Sequence, residues 1–179
     1  LTSHVTRLAK VLAQYELYKK VIGLPGHIVE CGVLKGTSLV RLATFREILE
    51  NPFSRKIIAF DIFGKFPRSG NAEDIRVIEE FEKNTGDGVS AKELERVMTS
   101  KSFTNYELIQ GDIRTTVPDY VAKYPELRIS MLHIDVDIYE PTKTILRSLF
   151  DKVVVGGLVV LDDYSVHGGE TRAVDEFMR

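Results

Sequence analysis

Ile28-Val29-Glu30-Cys31-Gly32-Val33-Leu34-Lys35-Gly36-Thr37-Ser38 runs from an apolar stretch into a glycine, then a second glycine four residues on, then two hydroxyl side chains. An apolar run, a glycine turn and a capped helix start are the opening of a βαβ unit. The spacing is not GxGxxG. Gly32 allows a tight turn and a close approach of backbone to a ligand, while Thr37 and Ser38 can cap a helix whose N–H groups face that ligand. Glu30 is costly to bury at the end of an apolar strand and needs a partner, which a cationic or hydroxyl-bearing group of a ligand would supply.

Outward from this stretch, His27 to Cys31, Lys56 to Phe60, Tyr106 to Ile109, Ile129 to Ile134 and Val153 to Leu161 read as strands. Helical stretches alternate with them, which predicts an α/β three-layer sandwich: a mostly parallel sheet with helices on both faces. Thr37 to Leu49 is one crossover helix. Another opens with Pro141 at a tolerated first-turn position and carries Ile145, Leu146, Leu149 and Phe150 as its apolar stripe. Before the first strand, Val5, Leu8, Leu12 and Tyr15 recur at helical spacing until Gly23, Pro25 and Gly26 end the pattern, predicting an amphipathic helix over residues 4–21. Residues 1–26 therefore read as an N-terminal helical segment and 27–179 as one domain.

The connection from Asp61 to Tyr106 is far longer than a crossover needs. An insertion is expected at about 64–104, with Ile75, Ile78 and Phe81 on one helical face, Leu94 and Val97 hinting at a second, and Gly86-Asp87-Gly88 as the turn. It reads either as a surface helix pair or as a lid over the strands' carboxyl ends.

Composition narrows the partners. The chain has 179 residues, 44% of them apolar or aromatic, and 24 Lys plus Arg against 26 Asp plus Glu, a formal charge of −2. No basic run offers a surface to nucleic acid or anionic membrane, and no apolar window is long enough to span a bilayer. One cysteine closes no intramolecular disulfide. With no basic-then-apolar leader, a soluble, reducing, cytoplasmic setting is expected. Leu1 in place of Met, and Arg179 inside a helix-like run, suggest a piece of a longer chain.

Two groups of acids carry the chemistry. Glu30, Asp61 and Asp112 each end one of three neighbouring strands, and Asp61 falls where nucleoside-binding sheets set an acid against ribose hydroxyls. Together they outline a nucleoside pocket built from acceptors rather than phosphate-binding lysines. The second group follows the last two strands: Asp135 and Asp137 at i and i+2, expected on one strand face if the extended geometry continues, and Asp162-Asp163 after Leu161. Such carboxylates repel unless a proton or metal intervenes, and an all-oxygen set favours Mg²⁺ or another hard divalent cation over structural zinc. His133 reads as a packed or supporting histidine rather than a ligand. His167 either touches substrate or is solvated, and Cys31 has no partner that would make it a nucleophile.

Across Ile28 to Val33, Gly36-Thr37-Ser38, Phe60 to Pro67, Gly111-Asp112-Ile113-Arg114, Leu132 to Thr142, Gly156-Gly157, Asp162-Asp163-Tyr164 and Ala173 to Phe177, the chain resembles the macrocin O-methyltransferase family. The resemblance implies a Rossmann-like class I methyltransferase fold and metal-assisted methyl transfer from S-adenosylmethionine to a hydroxyl of a small molecule, a sugar or phenol of a natural product. It implies that Glu30 and Gly32, with the Gly36 to Ser38 turn, line the cofactor, that Asp61 holds the ribose and that Asp112 accepts from the adenine amino group. Asp135, Asp162 and Asp163 match its metal ligands, and Asp137 its general base. Family members continue past the Ala173 to Phe177 helix into further strands that complete the sheet, whereas the sequence here runs to Arg179, so those strands are expected either to lie beyond it or to be absent. A homo-oligomer stays open. An NAD-dependent oxidoreductase and a non-catalytic nucleotide-binding domain are the alternatives, the first weakened by the absence of GxGxxG.

Overall fold

The computed structural model describes residues 5–66 and 72–179; Pro67 of the quoted motif and the first residue of the expected N-terminal helix lie outside them. Five strands, β1 (His27–Cys31), β2 (Ile57–Asp61), β3 (Tyr106–Gln110), β4 (Ile129–Ile134) and β5 (Val153–Leu161), form one sheet in the order β3-β2-β1-β4-β5. Every pairing is parallel. The fold class is as expected, and a parallel sheet covered on both faces explains why its strands are apolar runs rather than alternating ones.

Alternate residues of each strand feed two cores. Val29, Cys31, Ile58, Phe60, Leu132 and Ile134 pack under α5 (Ile113–Lys123), α6 (Tyr139–Leu149) and α7 (Gly168–Phe177). Ile28, Ile57, Ala59 and Met131 face α1 (Val5–Val21), α2 (Thr37–Leu49) and α4 (Ala91–Ser100). The connection between β2 and β3 also carries α3 (Ala72–Thr85).

Three elements depart from the expected pattern. In α1 the stripe Val5, Leu8 and Leu12 is exposed, and the helix seats itself through Gln14, Tyr18 and Val21. In α4 the buried pair is Leu94 and Met98, an i, i+4 pair, while Val97 faces out. That places α4 in the core beside Gly36, where a Cβ would stand 2.5 Å from Leu94 Cδ1, so of the two helices α3 is the one left to reach over the strand ends. In β5 the register slips opposite Ile129 and Met131, and Gly156 at φ +84 accommodates the bulge.

At the amino ends of the strands two buried arginines gather loose carbonyls. Arg46 donates from Nη1 to the carbonyls of Arg55 and Asn105 and from Nη2 to that of Thr104. Arg55 forks onto Glu50 at 2.7 and 2.8 Å and also reaches Ser130 Oγ and the carbonyls of Val21 and Gly26. The planar guanidinium, with five donors, suits this multiple capping as an ammonium would not.

At the opposite end the β1 loop is pressed against the β4 loop. Gly32 has φ +89, and a Cβ there would lie 1.8 Å from the carbonyl oxygen of Asp135. Gly32→Ala should therefore cost at least about 3 kcal/mol of unfolding free energy in denaturant titration, combining left-handed strain with a backbone clash. Gly64→Ala, where nothing lies within 4 Å of the added carbon, is the control and should stay within about 0.5 kcal/mol.

Candidate functional site

The chain runs from β1 outward to β3 and then returns to lay β4 and β5 on the other side of β1. In open α/β sheets the crevice at such a reversal, beyond the carboxyl ends of the strands, is where ligands bind. A cavity partly open to solvent lies there. Gly32 to Leu34, Asp61, Gly111 to Ile113 and Asp135 to Ile138 bring the loops after β1, β2, β3 and β4 to its wall. Phe81 of α3 and Phe66, in edge contact at 5.2 Å, close it from the insertion. The insertion is anchored at both sides: Tyr139 N donates to buried Asp74, and Val89 N donates to Leu34 O.

Asp61 shapes the mouth of this cavity. Its Oδ2 accepts from Val33 N and Leu34 N, and its Oδ1 from Phe63 N at 2.6 Å. One carboxylate thereby fixes the loops after β1 and β2, both of which pass through left-handed residues, Leu34 at φ 48 and Phe63 at φ 52. Asp112 caps α5 through Arg114 N and is forked by the Arg114 guanidinium, which holds its carboxyl below the usual range. Of the residues expected around the cofactor, Gly32, Asp61 and Asp112 line the cavity. Glu30, Gly36 and Ser38 stand behind the wall. Ser38 Oγ donates to the fully buried Glu30, whose Oε2 has no partner.

The acids after β4 and β5 divide into two clusters. His133, Asp135 and Asp162 bring ligand atoms within 4.8 Å of one another, and so do Asp137, Asp163 and His167. The division corrects the expectation that Asp135 and Asp137 share a strand face. Strand β4 ends at Ile134, and Ile138 N closes onto Val136 O around Asp137 at φ 61, a tight three-residue turn that aims Asp137 away from its neighbour. An aspartate tolerates the left-handed backbone that this requires.

Charge is unevenly met across the two clusters. His133 Nδ1 lies 3.3 Å from Glu30 and its Nε2 lies 3.6 Å from Asp162. Burial opposes its charge, while Asp162 and Glu30 favour it and push it up to about 10. Asp162 is brought down to about 2 against its own burial by His133 and by Lys10. Asp135 is raised, first by burial and then by Asp162. Asp137 is raised by burial, by its hydrogen bond with Asp163 and by the charge of that group. His167 Nε2 stands 3.4 Å from Asp137. Behind them Glu170 is fully buried with neither carboxylate oxygen partnered, and burial and Asp163 push it up to about 7. Spacing in the sequence offered no signal for Lys10 or Glu170: one comes from a remote helix, the other from a helix start that reads as ordinary acidic capping.

The described residues thus fit a hard divalent cation by donor chemistry and by surplus carboxylate charge. They fit a nucleoside-sized ligand by a cavity edged with acceptors. Among them no helix is long and apolar enough to cross a membrane.

Residues 6–179 match the family described as Macrocin-O-methyltransferase (TylF). The 8-demethyl-8-(2,3-dimethoxy-alpha-L-rhamnosyl)-tetracenomycin-C 4'-O-methyltransferase of Streptomyces olivaceus is 30% identical over 149 residues, covering 80% of this chain and 55% of that one. Demethyldecarbamoylnovobiocin O-methyltransferase of Streptomyces niveus is 32% identical over 167 residues, 88% of this chain and 60% of its own. The solved structure of the O-methyltransferase NovP superposes with a TM-score of 0.79 at 26% identity, covering 94% of this chain and 70% of that one. The chain therefore spans rather more than half the length of these two curated relatives.

Asp61→Ala removes three backbone bonds at once. It should lower unfolding free energy by about 1 to 3 kcal/mol and speed amide exchange at Val33, Leu34 and Phe63. Unchanged protection at those three amides would detach the loops from the carboxylate.

Proposed function

Because this chain belongs to the macrocin O-methyltransferase family, we propose that it transfers a methyl group from S-adenosylmethionine to a hydroxyl of a small molecule, a sugar or phenol of a natural product. The observation that carries this reading is the cavity at the sheet's reversal, with acceptors on one side and a carboxylate cluster on the other. Bound there, S-adenosylmethionine supplies an electrophilic methyl carbon on a sulfonium leaving group, and a divalent cation lowers the pKa of a hydroxyl it contacts. The residues proposed to hold the cation, Asp135, Asp162 and Asp163, come from both groups, Asp163 lying with Asp137 and His167, so the ion would sit between them.

The protein's own groups then divide the work. We assign Asp61 and Asp112 to the nucleoside, Asp61 through lone-pair capacity left on Oδ1, and Gly32 to the cavity wall beside it. Phe66 and Phe81 exclude water from the face opposite the sheet. Asp137 is the proposed base. It lines the cavity, it is held by its turn and by His167, and its raised proton affinity suits it to take the acceptor's hydroxyl proton as the new C–O bond forms. Glu30 and Ser38 act one layer back, positioning His133 and the start of α2.

Incubation with methyl-labelled S-adenosylmethionine and a panel of hydroxylated glycosides and phenols should yield a methylated product. Chelation by EDTA should abolish transfer and Mg²⁺ should restore it; activity that survives exhaustive chelation removes the cation from the reading. Asp137→Asn should lower turnover by about 10² to 10⁴ with nearly normal affinity for S-adenosylhomocysteine. If the variant instead loses Mg²⁺ affinity in step with its rate, Asp137 is a ligand. Hydrogen exchange in Ala72–Thr85 should slow when S-adenosylhomocysteine is added, because Phe81 closes on the ligand, whereas equal rates would leave α3 a static cover.

A further inference from the structure

Lys10 stands 152 positions before Asp162 in the chain, yet its ammonium pairs with Asp162 Oδ2. The charges of Asp135 and Asp163 act on the same ammonium. It arrives there because Tyr18 and Val21 are buried in the core on the α2 face of the sheet, so that α1 runs along β4 and β5. Of the half of α1 before Gln14, Val11 packs against the edge of that core, while Val5, Leu8 and Leu12 are exposed and the buried residues lie further along the helix.

We propose that Lys10 is a tethered counter-cation for the carboxylate cluster, occupying Asp162 when no divalent ion is bound and displaced from it when one binds. The inference rests on the reading that this cluster holds a divalent cation. An ammonium and a divalent ion competing for one carboxylate repel each other, and the smaller, doubly charged ion gains more from Asp135, Asp162 and Asp163 together than a single charge does. Displacement removes the polar tie between the first half of α1 and the sheet, leaving Val11 as its apolar contact. By linkage, whatever holds that half down weakens the ion, and the ion loosens that half to the same degree. Lys10 thus sets the ion's apparent affinity through the fraction of molecules whose cluster is free.

The test is Mn²⁺ binding, followed by electron paramagnetic resonance and calorimetry without methyl donor or acceptor. Three chains are compared: the unaltered protein, Lys10→Gln and Lys10→Arg. Lys10 is 46% exposed, so neither variant disturbs the core. Lys10→Gln should bind Mn²⁺ about fivefold more tightly, the factor that loss of a partly exposed ion pair yields, and Lys10→Arg should stay within about twofold of the unaltered chain. In the unaltered chain, Mn²⁺ should speed amide exchange over residues 6–13; in Lys10→Gln exchange there should be fast from the start and unmoved by Mn²⁺. Equal or weaker Mn²⁺ binding by Lys10→Gln overturns the proposal and leaves the cation reading standing. Failure of the unaltered chain to bind Mn²⁺ removes the cation reading and this proposal with it.

Discussion

The backbone of Gly32 lies so close to the carbonyl of Asp135 that no side chain fits between them. This contact joins the loops after β1 and β4, the two strands between which the sheet reverses its order. Everything around the cavity follows from it. With the β1 loop held down, Val33 and Leu34 present their N–H groups to Asp61, and with the β4 loop held up against it, the chain must turn sharply at Asp137 before α6 can begin. A methyl group at position 32 would push apart both halves of the sheet's reactive rim.

Electrostatics at that rim are a matter of accounting. On one side Glu30, Asp135 and Asp162 have two basic groups of the protein's own, His133 and Lys10. On the other, Asp137, Asp163 and Glu170 have His167 beside them and otherwise one another. Burial and neighbouring acids raise the proton affinity of Asp137 and Glu170, and a proton or a cation would relieve the same repulsion. Either event suits the proposed base and cation site.

The strands, their order of appearance and the glycine turn were legible in the residues because parallel strands buried on both faces must be apolar throughout. The acids at their ends were legible for a complementary reason, since a carboxylate at the end of an apolar run is costly without a purpose. Packing decided what the pattern could not. Leu94 pairs with Met98 rather than Val97, and the stripe Val5, Leu8 and Leu12 turns outward, because periodicity gives a face without saying what the face meets. Helix α5 escaped notice altogether: Thr115, Thr116, Val117 and Pro118 read as poor helix formers, and the cap from Asp112 together with the buried face of Ile113, Val117 and Tyr120 overrides them. The side-by-side placement of Asp135 and Asp137 assumed an extended chain, and the turn at Asp137 is a local backbone event with no signature in residue spacing.

The two arginines at the far edge of the sheet give the molecule ends that answer to different solution variables. The guanidinium groups of Arg46 and Arg55 are buried, and Arg55 is buried together with Glu50, so dissolved salt has little access to the bonds that gather the strand beginnings. The acids at the other end, with Lys10 half in water, sit within reach of the ionic atmosphere. Ionic strength can therefore retune the reactive rim while the floor of the sheet keeps its shape. A rigid base beneath a salt-responsive mouth lets the same scaffold carry rims of different charge without giving up its fold.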